Sequence, residues 1–161
     1  MLVAIYTLGM SARILSLGLI LAALSQSTVA LPHWIWSGNQ ETANSVTLQH
    51  TFNAPAKLKS AHLRLVTDFA IARLSFNGQT AGIAEPYGPV LGLDIARFLR
   101  PGRNEIQLVA QAASSHPAVA LQLDLVDDQG KRQTVATSPK WQSAAPGKKV
   151  HSHGDLGLEK W

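Results

Sequence analysis

The chain has 161 residues and a mass of 17.3 kDa, the size of one domain with short appendages, and it leaves no room for a second core. Hydrophobic residues make up 46% and charged residues 15%, which is too apolar for a disordered chain, and the absence of cysteine excludes disulfides, thiolate metal sites and a cysteine nucleophile. The formal net charge of +4 is too small and too scattered to indicate nucleic acid as a partner.

The first thirty residues have the order of a secretory signal. Arg13 precedes an apolar stretch of eleven residues, Ile14 to Leu24, and small and polar residues follow up to Ala30. That stretch is shorter than the ~20 residues that span a bilayer. We therefore predict a signal peptide over residues 1–30, cleaved after Ala30 or alternatively after Ser27. The mature chain is then exported, periplasmic or extracellular, with no stable membrane span.

An uncleaved membrane anchor is the alternative interpretation of this segment. Residues Met1 to Leu24 together are long enough to span a bilayer if the side chain of Arg13 reaches back to the interface. The segment ahead of Arg13 is itself apolar, which is unusual for a signal. Met10 would therefore make a more ordinary initiator than Met1.

The rest of the chain has the pattern of short β-strands. Ser45 to Phe52 alternates apolar and polar side chains with a period of two, which is typical of a half-buried strand. Asn77-Gly78 between apolar runs predicts a tight hairpin, since both turn positions need a positive φ. The same patterns predict strands over Ala61 to Val66, Ala70 to Phe76, Gln79 to Ala84, Asn104 to Ala112, Ala118 to Val126 and Gln133 to Thr137.

These elements define a fold class and approximate domain boundaries. Leu93 to Leu99 is the one predicted helical fragment, a turn or two that ends before a Pro-Gly pair. About seven short strands closed by turns predict an all-β, two-sheet antiparallel sandwich with one short helical turn, over residues 31–143. Ser143 to His153 is small, polar and basic. We therefore interpret residues 144–161 as a linker or tail, either a natural terminus or the truncated start of a following segment.

One phrase of the sequence is similar to the galactose-binding-like jelly-roll modules. Leu74 to Gly82 closes an apolar strand on Asn-Gly, and Tyr87-Gly88-Pro89 follows. Asp94 to Ile106 then reads Asp-hydrophobe-x-x-hydrophobe-Leu-x-Pro-Gly-x-Asn-x-hydrophobe. Such modules include the N-terminal sugar-binding domains of family two glycoside hydrolases and accessory domains of bacterial α-L-rhamnosidases. The resemblance covers about Trp34 to Trp141 and implies a jelly-roll sandwich with a sugar-binding or accessory role.

Aromatic side chains are the candidates for sugar contact, because sugar rings stack their C–H faces on aromatic rings while their hydroxyls bind polar neighbours. Tyr87, with Glu85 beside it in the same loop, is the first candidate, and Trp34, Trp36 and Trp141 are the others. Each tryptophan has a structural alternative. Trp34 and Trp36 at strand spacing fit packing against the edge of the sandwich, and Trp141 fits a plug at its open end.

The polar residues do not form a catalytic or metal-binding pattern. A glycosidase needs two carboxylates across a cleft, whereas the Asp127-Asp128 pair fits a turn. His151 and His153 lie at alternate positions, but two imidazoles do not complete a tetrahedral metal site. We therefore predict that the chain is not an enzyme and has no metal site and no cofactor. A structural calcium ion, which some relatives of this sandwich bind, is left open.

Two functions from different classes fit this pattern. The first is a secreted, non-catalytic carbohydrate-binding or accessory module whose partner is a glycan. The second is a structural module that packs against a neighbouring domain of a larger secreted or envelope protein and has no ligand of its own. The structural module predicts an exposed apolar patch formed by Val90, Leu91 or the segment Leu156 to Trp161.

Overall fold

The structure, a computed structural model, describes residues 31–38 and 44–157. The predicted signal peptide over residues 1–30 lies outside the described residues, as do residues 158–161 of the predicted tail. Within the described part of the chain, the structure contains no helix with the length and apolar character needed to cross a membrane.

The described residues form two antiparallel sheets. In chain order the elements are β1 (His33–Ser37), β2 (Ser45–Ala54), β3 (Leu58–Asp68), β4 (Ala70–Phe76), β5 (Gln79–Ala84), β6 (Leu91–Asp94), the 3-10 helix η1 (Ala96–Phe98), β7 (Gly102–Ala112), β8 (Ala118–Asp127), β9 (Arg132–Ala136), β10 (Gln142–Ser143) and β11 (Val150–Asp155). The first sheet has the order β11-β1-β8-β3-β6, with β9 also paired to β8, and the second has the order β10-β2-β7-β4-β5. The predicted all-β sandwich is confirmed.

The core lies between the sheets and follows the period-two pattern of the sequence. In β4, Ala70, Ala72, Leu74 and Phe76 are buried while the residues between them face outward. The inner faces of β3, β7 and β8 alternate in the same way and supply the other large buried side chains. A slip of one residue in any of these strands would turn its apolar set to solvent, so the alternation also sets the strand register.

The hairpin between β4 and β5 has the predicted turn. Asn77 has φ +50° and Gly78 has φ +82°, the left-handed conformations that a two-residue hairpin loop requires. A β-branched residue at either position would be strained there, whereas asparagine and glycine tolerate it.

Asn104 has a larger structural role than the turn residue that the sequence predicts. Its side chain is fully buried, and its Nδ2 donates to the carbonyl oxygens of Arg100 and Gly102, both at 2.7 Å. Its Oδ1 accepts from the Arg100 N–H at 3.0 Å and from Asn77 Nδ2 at 2.9 Å. Asn77 Nδ2 also donates to the Phe98 carbonyl oxygen at 3.0 Å. We call these contacts the Asn77–Asn104 network; they fasten the crossing segment around η1 to the second sheet.

The predicted helical turn is present but starts later than predicted. Leu91–Asp94 forms β6, which pairs with β3 so that Leu93 lies opposite Leu63, and the helical turn η1 covers Ala96–Phe98. The prediction was wrong at Leu93 and Asp94, because the ladder with β3 satisfies the backbone that a helix would otherwise pair internally. The Asp94 carboxylate accepts a hydrogen bond from the Ala96 N–H at 3.0 Å, as expected for an aspartate just before a helical turn.

The segment after β10 is not wholly a linker. Val150–Asp155 forms β11, which pairs with β1 and becomes the edge strand of the first sheet. Val150 and Leu156 are buried. The interpretation of this segment as a chain leaving the sandwich was therefore wrong, because β1 would otherwise expose its backbone hydrogen-bonding groups, and β11 pairs with them.

Candidate functional site

An open cleft of about 330 Å³ lies between β1, the end of β3 and the loop that joins β5 to β6. Its lining is Trp34, Val66, Thr67, Asp68, Tyr87, Gly88, Pro89 and Val90. A volume of this size is at the lower end of the range of small-molecule pockets. The fold thus brings together two of the predicted sugar contacts, Trp34 and Tyr87, and we call this the Trp34–Tyr87 cleft.

Tyr87 is the most exposed large hydrophobic side chain of the described residues, at 68%. Its backbone has φ +58°, and its ring packs edge-on against Phe69, with centroids 5.2 Å apart and an interplanar angle of 83°. Phe69 also has a positive φ, +52°. Positive φ is costly for aromatic residues, and such strain concentrates at functional sites. The contact with Phe69 holds the Tyr87 ring beside the cleft and leaves much of its surface to solvent.

The loop that carries Tyr87 is fixed by one backbone oxygen. The buried Thr67 hydroxyl donates to the carbonyl oxygen of Glu85 at 2.9 Å, and the Gly88 N–H donates to the same oxygen at 3.1 Å. A Cβ at position 88 would lie 3.1 Å from this oxygen, so glycine permits the close approach. Because these bonds are made by the protein itself, the loop is ordered before any ligand arrives.

Glu85 contributes to the site with its backbone and not with its side chain. Its carbonyl oxygen anchors the loop, and its exposed side chain is not part of the lining of the cleft. The carboxylate that lines the cleft is that of Asp68, at the end of β3. Sequence reasoning missed Asp68 because it follows the strand pattern directly and stands nineteen positions from Tyr87; only the pairing of the sheet brings the two together.

The three predicted tryptophans have different environments. Trp34 is half-buried and lines the cleft, at a point where the register between β1 and β11 shifts. Trp36 is fully buried, and within the described residues its Nε1 has no hydrogen-bond partner. Trp141 is 3% exposed and donates from Nε1 to the Ala136 carbonyl oxygen at 3.0 Å. A buried ring cannot stack on a sugar, so Trp36 and Trp141 are packing residues, as their structural alternatives predict.

The cleft combines one carboxylate with two aromatic rings. Asp68 is the one carboxylate and the one charged side chain among the residues that line it. A carboxylate accepts hydrogen bonds from hydroxyl groups, and the two aromatic rings offer apolar faces beside it. Elsewhere in residues 31–38 and 44–157, no group of three or more His, Asp or Glu side chains is arranged to hold a metal ion.

Comparison with known proteins gives matches in structure and not in sequence. No family model matches the chain, and no curated protein matches it. A lectin of Pleurotus ostreatus superposes with a TM-score of 0.64 at 19% identity, over 81% of this chain and 43% of the lectin chain. An α-L-rhamnosidase of Streptomyces avermitilis, solved in complex with L-rhamnose, superposes with a TM-score of 0.60 at 16% identity, over 80% of this chain and 13% of that chain.

A third match, a GH78 family rhamnosidase of Bacillus sp. GL1, has a TM-score of 0.56 at 25% identity, over 70% of this chain and 13% of that chain. The chain therefore spans less than half the length of each of these three proteins. The predicted resemblance to galactose-binding-like modules, including those of α-L-rhamnosidases, is confirmed in the fold.

Proposed function

We propose that this chain is a non-catalytic carbohydrate-binding module of an exported protein and that it holds a sugar ring in the Trp34–Tyr87 cleft. The observation that carries the proposal is the exposed Tyr87 ring, fixed in a strained backbone conformation beside Trp34 and the Asp68 carboxylate. Tyr87 keeps 68% of its surface exposed, so the edge contact of its ring with Phe69 does not by itself account for the strained backbone. The similarity in fold to a lectin and to parts of rhamnosidases supports the same class of function.

The lining favours a neutral sugar. Its C–H face would lie on the ring of Tyr87 or Trp34, and one of its hydroxyls would donate to Asp68. The lining contains no Arg or Lys, so a sugar carboxylate or sulfate would meet the Asp68 charge without compensation. We therefore expect a neutral hexose or deoxyhexose in this cleft.

The same lining supports a binding role over hydrolysis. Glycoside hydrolysis by the usual mechanism needs two carboxyl groups placed on either side of the scissile bond, and Asp68 stands alone in the cleft. The chain would thus act by bringing a glycan to the rest of a larger protein, or by holding that protein on a glycan.

Glycan binding by the Tyr87→Ala variant tests the proposal. A glycan array identifies the neutral glycan that the chain binds best, and calorimetric titration then compares wild type with Tyr87→Ala. We expect the affinity to fall about tenfold or more, since stacking on one aromatic ring is lost, with little change in the melting temperature.

Ile83→Ala is the matched control, because Ile83 is a large apolar side chain, 47% exposed, on the second sheet. It should keep the wild-type affinity. Full affinity of Tyr87→Ala, or an array with no bound glycan, contradicts the proposal.

An apolar surface on the second sheet favours the structural module as a second candidate. Ile71, Ile83 and Val109 are 39%, 47% and 41% exposed. Arg73 lies opposite both Val109 and Ile83, so these side chains share the outer face. Of the patch predicted from the sequence, Leu156 is fully buried, Val90 and Leu91 are half-buried, and residues 158–161 lie outside the described residues. If the chain self-associates, the double variant Ile71→Ser with Val109→Ser abolishes that self-association, and no glycan binds, the packing role replaces the binding role.

A further inference from the structure

A second cleft lies on the other sheet, at the edge of β2. It has a volume of about 330 Å³ and is lined by Gln49, His50, Thr51, Arg103, Glu105, Lys140 and Gln142. The short strand β10 pairs with β2 only at Leu48 and Gln49, so the edge of β2 beyond Gln49 stays open beside the cleft. We call it the Arg103–Lys140 cleft. It shares no lining residue with the Trp34–Tyr87 cleft.

One wall of this cleft is rigid. The His50 ring stacks on Trp141, with centroids 5.3 Å apart and an interplanar angle of 12°, and Trp141 is itself buried and bonded to Ala136. Burial lowers the pKa of His50, so its imidazole is neutral near pH 7 and can both donate and accept a hydrogen bond. The wall therefore offers a fixed polar group and not a third cation.

The charged groups of the cleft are not used by the protein. Across the described residues, the ion pairs are His33–Asp155, Lys57–Asp128 and Arg64–Asp124. None of these ion pairs includes Arg103, Lys140 or Glu105. The side chains of these three residues also make no hydrogen bond within the described part of the chain. The cleft thus presents two cations and one carboxylate that a ligand can meet.

We propose that the Arg103–Lys140 cleft binds an acidic saccharide, with the sugar carboxylate held by Arg103 and Lys140. Arginine and lysine form charge-assisted hydrogen bonds with a carboxylate. Arg103 and Glu105 are two residues apart on β7 and share one face of the sheet, so a ligand that reaches both must carry an anionic group and hydrogen-bond donors together.

A uronic acid meets this requirement. Its carboxylate suits the two cations, and its hydroxyls can donate to Glu105 and exchange hydrogen bonds with the amides of Gln49 and Gln142, which lie opposite each other on β2 and β10. A small inorganic anion would use the cations but would leave Glu105 facing a like charge. The inference stands apart from the proposed function, because the other cleft contains Asp68 and no cation.

Two-dimensional amide NMR of the ¹⁵N-labelled chain tests the inference. The chain is titrated at constant ionic strength with sodium galacturonate, with galactose and with sodium sulfate. We expect galacturonate to shift the amide signals of residues 49–51, 103–105 and 140–142, with an affinity about tenfold or more above those of galactose and sulfate in this cleft.

Charge-removing variants sharpen the test. Arg103→Gln and Lys140→Gln should each weaken galacturonate binding about tenfold, while Lys59→Gln, which removes one exposed cation from β3 of the first sheet, should not. Tyr87→Ala should leave galacturonate binding intact, and Arg103→Gln should leave neutral-glycan binding intact. Failure of the two proposals is thereby distinguished.

Three results would overturn the inference. Sulfate bound as tightly as galacturonate would show an adventitious anion site. Galactose bound as tightly as galacturonate would show that the sugar carboxylate does not contribute to binding. Unchanged galacturonate affinity in both Arg103→Gln and Lys140→Gln would show that the ligand lies elsewhere.

Discussion

Two regions of this sandwich, the Asn77–Asn104 network and the Trp34–Tyr87 cleft, both contain turn-forming residues but differ in how much of their side chains they leave exposed. In the Asn77–Asn104 network, the buried Asn104 amide has four hydrogen-bond contacts to Arg100, Gly102 and Asn77, and the region is closed. In the Trp34–Tyr87 cleft, a similarly ordered loop leaves an aromatic ring largely in solvent. The difference shows that turn chemistry alone does not identify a candidate binding site. Under the proposed function, the distinguishing feature is an ordered loop that leaves most of the Tyr87 ring exposed.

The largest effect on stability should come from disrupting the Asn77–Asn104 network. Asn104→Ala removes the four contacts of a fully buried amide and takes their partner away from the backbone groups of Arg100 and Gly102, so we expect the free energy of unfolding to fall by about 3 kcal/mol. Urea denaturation measures it, with Asn53→Ala, an exposed asparagine of β2, as the control that stays near wild type. A loss below about 1 kcal/mol for Asn104→Ala would mean that the network is not what holds the crossing segment.

Two glycine substitutions should have different effects, one on stability and the other on glycan affinity. Gly78→Ala has open space but φ +82°, so it should cost about 1 kcal/mol of stability and leave glycan affinity unchanged. Gly88→Ala places a Cβ 3.1 Å from the Glu85 carbonyl oxygen and must move the loop, so it should lower glycan affinity severalfold. Thermal unfolding and calorimetric titration measure the two effects. Equal loss of affinity in both variants would contradict this separation.

The smallest effect should be on the pH dependence of the free energy of unfolding. Burial lowers the pKa of His50, and burial together with the charges of His151 and His116 lowers that of His153, from an ordinary value of 6.5. The unfolded chain then takes up protons before the folded chain does, so stability is complete above about pH 6.5, falls as the pH drops through that value, and levels off below the folded-state pKa values.

His50→Gln and His153→Gln test this. Each should reduce the loss of stability between pH 7 and about pH 5. Urea denaturation across this range gives the slopes. An unchanged slope in His50→Gln would mean that the stacked ring does not titrate as its burial requires.

The sequence allows prediction of the fold where local chemistry and burial act together. The period-two pattern of Ala70 to Phe76 and the Asn77-Gly78 pair determine a strand and its turn without help from distant residues, and both predictions hold. The predictions were wrong for Leu93–Asp94, the start of the helical fragment, and for Val150–Asp155 in the tail, because the strand character of both depends on partners, β3 and β1, that are far away in the sequence. Local propensity does not indicate whether a distant strand has an open edge with which a segment can pair.

The candidate site was only partly predictable for the same reason. Tyr87 is identifiable, because an aromatic residue between Pro86 and Gly88 stands in a loop. Asp68 and the Arg103–Lys140 cleft are not, since their residues come from separate strands and become neighbours only through sheet pairing. Trp36 and Trp141 share their residue type with Trp34, and only the packing separates the buried rings from the accessible one.

A crystal structure of the chain with its best-bound neutral glycan tests the central claim most directly. The account predicts a sugar ring in van der Waals contact with the Tyr87 or Trp34 ring, with a hydroxyl within hydrogen-bond distance of the Asp68 carboxylate. A glycan seated elsewhere on the sandwich, with Tyr87 still facing solvent, would contradict it.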